Sequence, residues 1–332
     1  MFDNEIDPEQ NNTGWIHEPE VELEELNADD PFGNGKTLLI DGDILLYKPC
    51  CVFNEDTDVA RAKTVGLIKR HINEMLVQSG CTSYQFFITT KTNFRDFIVD
   101  DYKANRKDED RPVNLTFIKK WCKVNLNAIY EEFLEADDLL AIYFDETKIL
   151  WSTDKDLRQL VGTHLDEHTR QLVEISGIGE LWDMGKKVYF TGEAGFYLQM
   201  LTGDGADNII GCGIRGPVVT KSGPNKGNVR ILRQGVGPKQ AIKIISSAVM
   251  GAGASATDEQ KIAAMNQAVG SEYQARFGEN FREMWENQAN LLFMVRDFDK
   301  ETGMIKRWTC DSRDEYMNIK TGQIFTDEHS TC

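Results

Sequence analysis

Short apolar runs, each closed by an acid or a turn residue, set the rhythm of the first half of the chain. Residues 37–41 (Thr-Leu-Leu-Ile-Asp) predict a strand buried on both faces and ending in a carboxylate. Residues 58–78 carry apolar positions at helical spacing and residues 84–89 predict a second strand, so the three segments form one βαβ unit. A polar stretch over 100–112 follows. The pattern then predicts a helix over 115–123, a short strand over 128–133, a helix opening at Ala136 and a strand over 148–152. This alternation predicts an α/β fold, a parallel twisted sheet with helices on both faces, in which ligands collect outside the carboxyl ends of the strands.

Beyond Gly192 the spacing turns helical. A helix is expected over 194–201, then a Gly-Asp turn, a loop rich in Gly, Lys and Pro, and a helix from Pro238. Residues 258–269 and 280–294 also have helical spacing, while 304–308 suits a late strand. Residues 1–35 are polar, acidic and aperiodic, a composition that cannot bury enough apolar area to offset ordering entropy. The expected organisation is a disordered acidic tail over 1–35, an α/β core over 36–190, and a helical region over 191–332.

Charge changes this picture less than the total suggests. The chain of 332 residues carries −17, but residues 1–35 hold eleven acids and no Lys or Arg, which leaves −6 for the rest. Cations concentrate over 103–111, 119–123, 221–233 and 239–243, so local basic surface for nucleic acid is expected. No apolar run approaches the roughly 20 residues of a membrane span, and no signal peptide is recognisable. A soluble, cytoplasmic protein is expected. Seven cysteines without a C-x-x-C pair, including adjacent Cys50 and Cys51, indicate reduced thiols rather than disulfides or zinc; His164 and His168 lack further ligands nearby.

The chemistry lies in clustered acids at expected strand ends and helix starts. These are Asp41-Gly42-Asp43, Glu135-Ala136-Asp137-Asp138, Asp154-Lys155-Asp156, and Asp204-Gly205-Ala206-Asp207. Singly, each has a plain reading: a turn, a favourable helix-dipole contact, an N-cap. Together they crowd like charges with no gain unless divalent cations neutralise them. Oxygen ligands in this number suit two hard cations held side by side, the apparatus of phosphodiester hydrolysis. Lys103 and Arg106, three residues apart near such a site, could hold a scissile phosphate.

The ordered motifs Tyr-Lys-Ala-Asn-Arg (102–106), Glu-Ala-Asp-Asp (135–138), Ser-Thr-Asp-Lys-Asp (152–156), Gly-Asp-x-x-Asp-Asn (203–208) and Gly-Val-Gly-Pro-Lys-Gln-Ala (235–241) resemble the 5′→3′ exonuclease and flap endonuclease superfamily, in particular its phage branch of the T-odd coliphage type. The resemblance spans about residues 37–245. It implies a PIN-like nuclease fold with Asp41, Glu135, Asp137 and Asp138 as one group of metal ligands and Asp154, Asp156, Asp204 and Asp207 as a second. It also implies Lys103 and Arg106 as catalytic phosphate contacts. Residues 194–241 would form a helix-three-turn-helix binding DNA phosphates, often with a monovalent cation such as K+. The DNA contacts expected there and nearby are Tyr102, Lys221, Lys226, Gly235, Gly237 and Lys239.

The implied protein is a monomeric, two-metal (Mg2+ or Mn2+) 5′→3′ exonuclease of phage DNA replication, recombination or host DNA degradation. Its substrates would be double-stranded DNA with a 5′ end or flap, and RNA primers on a template. A non-catalytic DNA-binding protein of the same fold is the alternative. Three departures from the family pattern stand out. Thr90 occupies the place of a usual Asp, residues 213–234 form an insertion, and only 28 residues separate Arg106 from Glu135, little room for a threading arch.

Overall fold

The computed structural model describes residues 34–106, 110–185, 188–219 and 229–326. The first strand, β1 (Thr37–Asp41), runs into helix α1 (Gly42–Val52), followed by α2 (Asp58–Ser79) and β2 (Ser83–Phe87). After α3 (Leu115–Asn125) and α4 (Ala136–Tyr143) come β3 (Lys148–Trp151), β4 (Gly162–Leu165) and β5 (Leu172–Ile175). The five strands form one sheet in the order β2-β1-β3-β4-β5. All neighbours are parallel except the terminal β4–β5 pair.

Both faces of β1 are covered, which is why its sequence is apolar throughout. Leu38 and Ile40 join Phe86, Ile149 and Trp151 in a core with Leu46, Ile68, Ile72 and Ile118 from α1–α3. Leu39, Phe87 and Leu150 point the other way, onto Leu139 and Leu140 of α4. The expected fold class is therefore the observed one, a parallel-dominated sheet flanked by helices, with a helical region beyond it.

Several elements differ from expectation. Asp41 does not enter a free turn. It caps α1, its Oδ1 accepting from the Ile44 amide at 3.2 Å, and Gly42 is required because a Cβ there would stand 2.3 Å from the Phe87 carbonyl oxygen. The strand expected over 128–133 contracts to a single bridge between Ile129 and Phe87, since Asn127 and Phe133 both take left-handed backbone conformations that extended chain cannot use.

The hairpin β6 (Leu181–Asp183) and β7 (Val188–Phe190) leads into α5 (Gly192–Thr202). Where a loop was expected over 213–234, β8 (Gly213–Val219) pairs in register with β9 (Val229–Gly235), from Gly213 with Gly235 to Val219 with Val229. Then come α6 (Pro238–Ala252), α7 (Asp258–Phe277) and α8 (Phe281–Leu292), which pack with α5 around Phe196, Met200, Tyr273 and Trp285.

The expected late strand is one of four in an antiparallel sheet of β10 (Phe298–Asp299), β11 (Met304–Lys306), β12 (Glu315–Asn318) and β13 (Ile324–Thr326). Its Ile305 and Met317 bury against the α4 side of the central sheet. No helix among the described residues is long and apolar enough to cross a membrane.

Candidate metal centre

The carboxyl ends of β1 and β3 place Asp41 and the 152–156 loop side by side. Ser152 Oγ donates to Asp41 Oδ2 at 2.6 Å and accepts from the Asp154 amide at 2.9 Å. Asp154 Oδ1 in turn accepts from the Asp156 amide at 2.9 Å. These bonds fix the loop and the carboxylates it carries.

The start of α4 presents three acids with different fates. Asp138 is wholly buried. It forms a bidentate pair with Arg95, at 2.7 and 2.8 Å, and also accepts from the amides of Val295 at 3.0 Å and Glu135 at 3.1 Å. All its strong acceptor positions are engaged. Glu135 accepts from Tyr102 Oη at 2.8 Å and from the Lys103 ammonium. Asp137 faces inward, where Asp154, Asp41 and Glu135 surround it electrostatically.

The turn after α5 supplies the remaining acids. Gly203 (φ +70°) opens it, and a Cβ at this position would meet the Ile209 carbonyl at 2.3 Å. Asp204 Oδ1 accepts from the Ala206 amide at 2.8 Å. Lys155 Nζ bridges Asp156 at 2.8 Å and Asp204 at 2.6 Å, while the buried Gln199 donates to Asp156 Oδ1 at 2.6 Å. Lys103 lies between Glu135 and Asp207, 3.5 Å from the latter, and Arg106 pairs with Asp207 and donates to the Ala206 carbonyl at 2.9 Å. Lys103 has a left-handed backbone (φ 51°) and its amide donates to the Asp207 carbonyl at 3.0 Å, a strained conformation of the kind found at functional positions.

Two electrostatic regimes result. Burial first, and then repulsion from Asp43 and Asp154, raises the Asp41 carboxyl to about 7. Burial together with Asp154, Asp41 and Glu135 lifts Asp137 well above the carboxylate range. Asp156 rises to about 7 through burial and Asp154, against the pull of Lys155. Glu135 goes the other way: burial would raise it, but Lys103 and Arg95 hold it near about 2. Asp204 is likewise lowered, with Lys155 outweighing burial, whereas at Asp207 burial wins and the carboxyl is raised.

The donor set is oxygen throughout, so the residues fit hard divalent cations, which would relieve the repulsion at Asp41, Asp137 and Asp154. The acids are not drawn tightly together, the ammonium groups of Lys103 and Lys155 being seated between pairs of them. Among the described residues, three potential ligand atoms come within 4.8 Å of one another only at Glu286, Cys310 and Asp311. There Arg313 already pairs with both carboxylates.

Of the expected site residues, Asp41, Glu135, Asp137, Asp154, Asp156, Asp204, Asp207, Lys103 and Arg106 thus share one region. Asp138 lies beside them and is engaged by Arg95, which also reaches Glu135 at 3.4 Å. Tyr102, expected to contact DNA, is buried and its hydroxyl donates to Glu135. Gly235 lies where a Cβ would strike the Cys212 carbonyl at 2.5 Å, so strand packing accounts for it. Gly237 precedes the open N-terminus of α6, and Lys239 is solvent-exposed on its first turn. Lys221 and Lys226 lie outside the described residues, as does the tail through position 33.

Sequence reasoning gave no role to Arg95, Ser152, Lys155 or Gln199. Lys155 sits inside an acidic motif, which could have marked it, but a glutamine in an apolar helix carries no such signal. Thr90 has a buried hydroxyl without a partner among the described groups. Nearby Asp43 is neutralised by Lys119 at 2.6 Å and accepts from the Thr89 amide at 3.1 Å.

A parallel-dominated sheet with helices on both faces is consistent with a resolvase-like, PIN-type fold. Residues 36–183 match the family model described as 5'-3' exonuclease, N-terminal resolvase-like domain, and this match supports the 5′–3′ exonuclease superfamily, nucleases that act on nucleic acid and are generally dependent on divalent metal. No curated protein matches the chain.

Proposed function

We propose that the chain is a 5′→3′ exonuclease that hydrolyses DNA phosphodiesters from the 5′ ends of duplexes with two Mg2+ or Mn2+ ions. The observation that carries this reading is the repelling set Asp41, Asp137 and Asp154, gathered by the carboxyl ends of β1 and β3 and the start of α4. The Asp41 and Asp137 carboxyls are raised by burial and by the acids around them, which costs stability and makes sense where cations bind. These three with Glu135 would hold one ion, and Asp156, Asp204 and Asp207 a second; Asp138 is structural. When bound, such ions supply Lewis acidity for activating water and stabilising the departing 3′ oxygen.

The protein's own groups would do the rest. Lys103 and Arg106, now on Glu135 and Asp207, would turn to the phosphate once those acids bind metal, neutralising the charge that develops on it. Tyr102 keeps Glu135 oriented. The open N-terminus of α6 with Gly237 and Lys239 would hold a duplex phosphate away from the chemistry. Flaps and RNA primers on a template are further substrates consistent with this arrangement.

The test is cleavage of 5′-labelled and 3′-labelled duplexes with Mg2+ and with chelator. Stepwise, metal-dependent loss of 5′ nucleotides is expected. A protein that binds duplexes but cleaves neither substrate would instead be a non-catalytic DNA-binding protein of this fold.

A further inference from the structure

The β8–β9 hairpin stands apart from the other sheets. It is a free-standing two-stranded ribbon, pairing with no other strand among the described residues. Its seven paired positions span about 24 Å. Strand alternation puts Arg215, Pro217 and Val219 on one face with Val229, Ile231 and Arg233, because Pro217 opposes Ile231 and Val219 opposes Val229. That face is bare: Val219, Val229 and Ile231 are 54%, 62% and 65% exposed. Aliphatic side chains standing in solvent along an unpaired ribbon invite aggregation unless a partner covers them.

The root of the ribbon is rigid. The Arg233 guanidinium donates to the carbonyls of Ile210 (2.6 Å), Val236 (3.0 Å) and Leu201 (2.5 Å), and Arg215 donates to the Asn208 carbonyl at 3.2 Å. The ribbon therefore leaves directly from the turn that carries Asp204 and Asp207. Charge selects the partner. In a chain of net charge −17, residues 213–235 contain five basic side chains and no acid. A polyanion is favoured, and an acidic one with apolar surface to offer as well.

We infer that this ribbon is a nucleic-acid arm that enters a groove of the duplex, with Pro217, Val219, Val229 and Ile231 against sugars and base edges. A two-stranded ribbon fits a DNA groove, and Pro and Ile are among the apolar residues that proteins press between base steps. The inference rests on DNA being the substrate, but not on the chemistry at the acids.

The test is fluorescence anisotropy of a labelled blunt duplex in EDTA, so that no cleavage intrudes, with the full chain and Val229→Ser/Ile231→Ser. Affinity should fall about tenfold with an unchanged salt slope, since apolar rather than phosphate contacts are lost. Ile324→Ser, which removes an exposed aliphatic side chain from β13, should bind normally. Hydrogen exchange on the unsubstituted chain should show protection of 213–219 and 229–235 when duplex is added, a readout independent of how the variant folds. Unchanged affinity, or absence of that protection, overturns the inference. Self-association through the ribbon with DNA affinity intact would also overturn it, making the face an interface between copies. Duplex binding without any cleavage when Mg2+ is supplied would defeat the nuclease reading while leaving the arm standing, and an Asp154→Ala chain that still cleaves would defeat the two-metal assignment alone.

Discussion

Arg95 and Asp138 form a buried bidentate ion pair that joins the α/β core to the C-terminal region. Besides the two bonds to Asp138, at 2.7 and 2.8 Å, Arg95 donates to the carbonyls of Leu291 at 3.0 Å and Phe293 at 2.9 Å, beyond the reach of any neighbour in sequence. The pair is 3% and 0% exposed, so each charge depends on the other for its neutralisation.

Removing one partner should therefore be severe. Asp138→Ala leaves the buried guanidinium with only its longer contact to Glu135, at 3.4 Å, and is expected to cost about 3–5 kcal/mol. Its neighbour Asp137, pushed well above the carboxylate range by burial and like charges, should behave in the opposite sense. Asp137→Ala should leave metal-free stability unchanged or higher and abolish cleavage. Urea unfolding in EDTA together with a nuclease assay separates the two. Equal stability losses would mean that Asp137 is also part of the scaffold.

That contrast marks where sequence reasoning reaches its limit. Apolar runs flanked by acids showed the parallel sheet and the carboxyl-end location of the site, because strands buried on both faces leave a pattern of their own. The motif Glu-Ala-Asp-Asp could not show which acid turns inward, since that depends on Arg95, forty-three residues away from Asp138. The capping role of Asp41 was hidden for a similar reason: Asp-Gly reads as a turn until β2 crowds Gly42. Likewise the C-terminal strands are too short for periodicity to betray, and the 213–235 ribbon is masked by its Gly and Pro content.

Metal-free stability should depend on pH with a definite sign. Asp41 and Asp156 rise from an ordinary 3.8 to about 7, so the folded chain binds their protons more tightly than the unfolded chain does. Their contribution is full below about pH 4 and is lost as pH climbs towards 7. Glu135, lowered from 4.5 to about 2, acts oppositely, its contribution present above about pH 4.5 and lost only as pH falls towards 2. Thermal melts in EDTA should thus show Tm declining between pH 5 and pH 8, with Mg2+ restoring more at pH 8, where protons no longer compete. A Tm that rose across this range without metal would contradict the repulsive cluster.

Lys103 and Arg106 are paired to acids in the metal-free chain, so their substitution separates structure from chemistry. Lys103→Met or Arg106→Met should reduce kcat by about 10²-fold or more with a much smaller change in KM, as expected for groups that act on developing charge. Single-turnover rates and duplex affinity measured side by side give the answer. A defect confined to affinity would reduce both residues to ordinary backbone contacts.

Gln199 offers the sharpest test of how the second group of acids is held. It is 2% exposed, donates to Asp156 Oδ1 at 2.6 Å, and receives the amide of Gln159 on its own oxygen. This places a neutral donor against a carboxylate that Asp154 already repels. Gln199→Leu keeps the volume but releases Asp156 and leaves the Gln159 amide unpaired, at a cost of about 1–3 kcal/mol. If Gln199 is a positioning residue, Mn2+ affinity measured by calorimetry without DNA should fall about tenfold, in line with the loss of outer partners at metal sites. Gln199→Glu should instead lower stability in EDTA, by adding a third negative charge beside Asp156 and Asp204, and recover part of it when Mn2+ is added. Metal affinity unchanged in Gln199→Leu, with only Tm reduced, would show that the glutamine merely fills the core of α5.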